Sequence, residues 1–143
     1  MVDPLLYVRC QQLLAEFWSA MDNRRTDELM SLVADNIRWQ REKMYEGREN
    51  VRAAIEARPG NLQIRHLISN LTIARIGAGQ LEAKFLLSPV FAMAKDGASA
   101  PYPSEPVLRI AEFKVGISET AEALSINSIL FEMLFEREIP GVA

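Results

Sequence analysis

The stretch "PGNLQIRHLISNLTIARIGAGQLEAKFLL", residues 59 to 87, is where the hydrophobic period of the chain changes. Pro59-Gly60 stops a helical pattern. From Leu62 onward apolar residues recur every second position, the period of a strand. Gly77-Ala78-Gly79 supplies a tight connection, so the stretch reads as two long strands, roughly Leu62–Ile76 and Gln80–Lys95. Two further strands are expected over Val107–Val115 and Glu122–Glu136, with Gly116 to Ala121 as the last turn. Asp96-Gly97 opens a longer segment with prolines at 101, 103 and 106. Proline cannot join a ladder in mid-strand, so residues 96–106 read as a loop or lid.

Upstream the period is helical. Asp3-Pro4 has the form of an N-cap followed by a first-turn proline. Leu6, Cys10, Leu13, Leu14, Phe17, Trp18 and Met21 then make a broad apolar stripe. Asp22-Asn23-Arg24-Arg25 is a polar turn, after which Thr26 is expected to cap a second helix that buries Leu29, Met30, Leu32 and Val33. Ile37–Gln40 is a short strand, Glu46-Gly47 a turn, and Glu49–Arg58 a third helix. Helices followed by strands indicate an α+β chain, read here as one domain over residues 1–143. Several strands are apolar on both faces. One face is expected to cover the helices and a pocket, and the outer face to meet a second copy in a homodimer or higher homo-oligomer.

Composition narrows the function classes. With 16 basic and 19 acidic residues the net charge is −3, and no basic face stands out for nucleic acid. No apolar run approaches the ~18 residues of a membrane span, and no secretory signal is expected at Met1-Val2-Asp3-Pro4. Cys10 is the single cysteine, which fits a cytoplasmic protein without disulfides. One histidine and one cysteine do not make a usual zinc site. No metal or other cofactor is expected, and the expected partner is a small molecule.

Three segments carry a family resemblance. "LLAEFWSAMDNRRTDELMSLVADNIRW" (13–39), "YEGRENVRAAI" (45–55) and "IRHLISNLTI" (64–73) together resemble the nuclear transport factor 2-like superfamily, in its SnoaL-like and scytalone dehydratase-like branch. The resemblance implies a cystatin-like α+β barrel, a cone-shaped curved antiparallel sheet wrapped around a long N-terminal helix, with an apolar pocket at the wide end. It also implies that Asp22 and His66 face that pocket. The dehydratase-like enzymes carry a second pocket histidine, whereas His66 is the only histidine here. Met21 and Arg41 stand where paired tyrosines would be, so the resemblance does not extend to scytalone dehydration. A ketosteroid isomerase pattern fits poorly, since Glu42 is the only acid near the first strand. The beta subunits of aromatic-ring-hydroxylating dioxygenases are similar too, and they imply a non-catalytic accessory or ligand-holding role.

Histidine titrates near ~6.5 when unperturbed and can both take and give a proton at neutral pH. A neighbouring carboxylate fixes its tautomer and favours its charged form. An Asp22–His66 pair would therefore suit a cofactor-free lyase, isomerase or cyclase acting on an apolar or aromatic hydroxy-ketone. The other reading of the same residues is a packed histidine and a turn aspartate, and the residues alone leave both open. Period two places His66, Ile68, Asn70 and Thr72 on one face, which would bring Asn70 to the pocket as a ligand-orienting amide. Phe17, Trp18, Met21, Trp39, Phe91, Phe131 and Met133 are candidates for an apolar lining, and Tyr45 for a phenol at its mouth.

Overall fold

The structure is a computed structural model, described over residues 2–104 and 109–137. Helix α1 spans Pro4–Asp22. The Asp3 carboxylate accepts the Leu6 N–H at 3.0 Å, and Pro4 occupies the first turn, where it has no amide hydrogen to waste. The helix ends in a Schellman motif: the Arg25 N–H donates to Ala20 O at 2.8 Å and the Arg24 N–H to Met21 O at 3.3 Å. Arg24 holds the left-handed position of that motif (φ 57°), where glycine is usual. Its guanidinium offsets the strain by donating to the carbonyls of Pro59 and Leu62, at 2.5 and 3.0 Å. The end of α1 is thereby tied to the start of the long strands.

Helix α2 (Thr26–Ser31) is a single short turn and a half. Arg25, not Thr26, is its N-cap, and no side chain caps it. Strand β1 (Val33–Gln40) is longer than its sequence pattern predicts, and a short β2 (Met44–Glu46) returns beside it where only a turn is expected. Helix α3 (Arg48–Glu56) stops ahead of Pro59-Gly60 and buries Val51 and Ile55. Strands β3 (Leu62–Gly77), β4 (Gln80–Met93), β5 (Arg109–Glu119) and β6 (Leu124–Glu136) then form an antiparallel meander. The expected start of the third long strand at Val107, and Pro106 before it, lie outside the described residues.

The six strands run in the order β2-β1-β6-β5-β4-β3. β1 pairs with β6 in parallel, so the sheet is mixed where an antiparallel sheet is expected. β2 and β3 lie at opposite edges without pairing to each other, so the sheet curves around α1 but does not close. Its inner face packs Leu81, Ala83, Phe85, Val115, Ile126 and Ile129 against Cys10, Leu14 and Phe17 of α1, all in one buried cluster.

A bulge interrupts β3. Ser69 pairs with Leu86 and Thr72 with Lys84, so Asn70 and Leu71 oppose a single residue of β4. Asn70 takes a left-handed conformation (φ 57°). The inward set therefore shifts from His66 and Ile68 to Leu71 and Ile73, and Asn70 is exposed. The Tyr7 hydroxyl donates to Leu71 O at 3.2 Å and pins α1 to the strand just after the bulge.

Candidate active site

The last residue of α1 and the fifth residue of β3 meet. Asp22 Oδ1 lies 2.5 Å from His66 Nδ1, and the backbone N–H of His66 donates to Asp22 Oδ2 at 2.9 Å. The Asp22 side chain is 5% exposed and that of His66 10%. Edge position explains the second bond. Among the described residues β3 pairs only with β4, so the amide on its free side has no strand partner there and the carboxylate takes it. A carboxylate only accepts, which assigns the ring proton to Nδ1 and leaves the lone pair on Nε2. Asp22 thus sets the ring's position and tautomer at once.

Trp18 lines the groove beside the pair, and the expected lining residues Phe17, Trp39 and Phe131 pack behind it in the core. The Trp18 ring lies 4.7 Å from that of His66, tilted by 33°. Phe17 meets Trp18 edge-on at 5.0 Å, and Trp39 and Phe113 stand nearly perpendicular to it at 6.2 and 5.8 Å. Phe131 stacks on Phe113 at 5.4 Å. A groove of about 330 Å³ opens on the pair, lined by Ala15, Trp18, Ser19, Asn23, Arg65 and Ile68 together with Asp22 and His66.

The remaining candidates distribute as follows. Met21 is buried next to Asp22, and its carbonyl takes a hydrogen bond from Arg58. Asn70 does not share the groove of His66, because the bulge turns it into an adjoining groove of about 390 Å³ with Tyr7, Gln11 and Leu14. Phe91 lines a separate depression with Ile64, Val90 and Tyr102. The Tyr45 hydroxyl donates to the Glu42 carboxylate on the β1–β2 hairpin, which raises the phenol's pKa and lowers the acid's. Met133 sits at the outer end of β6 and is 37% exposed.

Arg58 packs behind the pair without lining its groove, and sequence reasoning misses it. Its Nη1 donates to Met21 O at 3.1 Å, next to Asp22. Its Nη2 is buried and has no hydrogen-bond partner among the described residues; the Trp18 Nε1–H is in the same condition. Burial first, and then the charge of Arg24, push the Arg58 pKa below its ordinary value. An arginine ahead of Pro-Gly at a helix end is ordinary in sequence, and no signal there distinguishes it. Among the described residues no three of His, Cys, Asp and Glu gather as a metal-ligand set, and no helix is long and apolar enough to cross a membrane.

The sequence model of the SnoaL-like domain matches residues 5–109. The chain belongs to the SnoaL-like domain family. Curated protein sequences contain no match to it. Among solved structures, this SnoaL-like chain is similar to Aln2 from a Streptomyces species (TM-score 0.80, 18% identity, covering 93% of this chain and 94% of that one). It is similar to the hexachlorocyclohexane dehydrochlorinase LinA-type3 from Novosphingobium barchaimii (TM-score 0.74, 16% identity, covering 94% and 90%). It also resembles a Catenulispora acidiphila protein in complex with S-DNPA (TM-score 0.73, 18% identity, covering 92% and 95%). At these identities the likeness establishes a shared fold.

Proposed function

We propose that this SnoaL-like protein binds a small, largely apolar or aromatic metabolite and acts on it by acid–base catalysis without a cofactor, as a lyase, isomerase or cyclase of a hydroxy-ketone. The observation that carries the reading is the Asp22 carboxylate, both of whose oxygens engage one histidine beside a groove. His66 Nε2 takes a proton from the carbon next to the carbonyl. Asp22 balances the imidazolium that results. The imidazolium then returns the proton to a departing hydroxyl, which gives elimination, or to another carbon, which gives isomerisation. Such a positioned group supplies roughly 10²–10⁴-fold in rate. Trp18, the tryptophan in the groove's lining, would face the apolar body of the substrate. The complex of the Catenulispora protein with S-DNPA and the dehydrochlorination named for the Novosphingobium protein support a small-molecule site in this fold.

The experiment is solvent deuterium exchange at the α-carbon of aromatic β-hydroxy ketones, followed by NMR, which detects proton removal whatever product forms. Wild type is expected to accelerate exchange, and His66→Gln to remove roughly a hundredfold or more of that acceleration. Equal rates would remove His66 from the mechanism and favour a ligand-holding accessory subunit. Self-association through the outer sheet face belongs to the same reading. Leu130 and Phe135 of β6, opposite Lys114 and Ile110 on that face, are exposed in the single chain, and light scattering is expected to give at least twice its mass. The lone, buried Cys10 suits a reducing cytoplasm.

A further inference from the structure

The outer face of the sheet carries its charges in rows. Along β5 the side chains of Ala111, Phe113, Val115 and Ile117 are buried inward, so Glu112 and Lys114 point outward. Across the strands, Glu112 stands opposite Glu132 of β6, and Lys114 stands opposite Lys84 of β4. A row of acids and a row of bases therefore lie side by side on interior strands of the sheet. Like charges directly opposite each other destabilise a strand pair. Lys84 has Glu82 at 3.8 Å, whereas Glu112, Lys114 and Glu132 form no ion pair among the described residues. With Leu130 and Phe131 these three line a groove of about 210 Å³.

Apolar side chains surround the charges on the same face. Leu130 beside Lys114 and Phe135 beside Ile110 are exposed, as is Leu67 on β3, and Leu86 beside Glu112 is half-buried. An apolar patch of this kind asks for a cover, and the charges say which cover fits. A closed two-fold contact presents the same patch from both copies, so the patch must complement itself. A two-fold axis crossing β5 between Glu112 and Lys114 meets that condition. It lays Lys114 of each copy over Glu112 of the other. The same axis sets Ile110 over Gly116, a large side chain over a position with none. An axis running along the strands stacks lysine on lysine and acid on acid, which the charges oppose. Stacked sheets lie about 10 Å apart, a gap that a lysine and a glutamate reaching toward each other span.

We propose that two copies of this chain associate face to face about such an axis, and that reciprocal Lys114–Glu112 ion pairs, with Glu132 alongside, set their register. The inference rests on the self-association reading and adds the symmetry, the register and the charges that select the partner.

The test is charge reversal in the whole chain, read by sedimentation equilibrium, with circular dichroism as the check on folding. Wild type is expected at twice the single-chain mass. Lys114→Glu turns the patch acidic, and Glu112→Lys combined with Glu132→Lys turns it basic. Each is expected to raise the dimer dissociation constant roughly a hundredfold or more, because like charges then meet at two symmetric places. Mixed in equal amounts, the two variants are expected to recover a dimer that neither forms alone. If one of them does not fold, the loss of association in the other carries the test. A monomeric or trimeric wild type, association unchanged by either reversal, or a mixture no more associated than its components would overturn the proposal. A wild-type dimer indifferent to the reversals refutes the register and leaves self-association standing, whereas a monomeric wild type refutes both. The exchange experiment on His66 is independent of either result.

Discussion

Replacing Asp22 by Asn separates the two tasks of its carboxylate. The side chains are nearly the same shape, so the end of α1 should keep its place. The His66 backbone N–H can only donate, and it now demands the one oxygen of the amide. The Asn nitrogen is left facing His66 Nδ1, which lies 2.5 Å from the carboxylate in the native chain. An amide nitrogen only donates, so Nδ1 must give up its proton and accept, and the proton moves to Nε2. The variant keeps its fold and presents the wrong nitrogen to the substrate. Two charge-assisted bonds become two neutral ones, a loss of about 1–2 kcal/mol in stability. Catalysis falls much further, by roughly 10²–10⁴-fold. Asp22→Ala removes both acceptors and leaves the buried amide without a partner, which costs about 3–5 kcal/mol. Urea denaturation measures the stabilities, and long-range ¹H–¹⁵N correlation reads the tautomer. His66 is the only histidine in the sequence, so the spectrum needs no assignment. The reasoning is refuted if Asp22→Asn keeps the Nδ1–H tautomer, or if it switches tautomer and exchanges substrate protons at the wild-type rate.

Two further variants probe the supports of the site. Arg24→Ala loses the bonds to the Pro59 and Leu62 carbonyls while keeping the left-handed backbone, whereas Arg24→Gly loses the bonds and relieves the strain. The glycine variant should therefore be the more stable of the two by about 1 kcal/mol in urea denaturation. Asn70→Gly, at the left-handed bulge, should leave the deuterium-exchange rate within about twofold of wild type, because Asn70 lines the adjoining groove and not that of His66. A larger loss of exchange would return Asn70 to the substrate.

Local patterns make much of the fold legible. Asp3-Pro4 announces α1 and its cap, the stripe from Leu6 to Met21 announces its buried side, and alternation from Leu62 onward announces the meander. What the sequence does not show is pairing. β1 runs parallel to β6 because of where α2 returns the chain, and a strand's own period does not name its neighbour. The bulge at Asn70 escapes for a related reason: a single extra residue reverses every later inside–outside assignment without changing the composition. The Asp22–His66 contact is expected only through resemblance, since the two residues lie 44 positions apart. Arg58 is invisible because its distinction is a missing partner, which only packing reveals.

The edge position of β3 gives the Asp22–His66 pair a thermal dimension. A strand held on one side only is the part of a sheet that peels first. Here the hydrogen bond that resists peeling at His66 itself comes from the same carboxylate that sets the imidazole, while Arg24 and Tyr7 hold the strand at Leu62 and Leu71. Each opening of the edge near His66 therefore also disarms the base. The amide of His66 becomes a gauge of site integrity, and its hydrogen-exchange rate tracks the fraction of molecules whose site is intact.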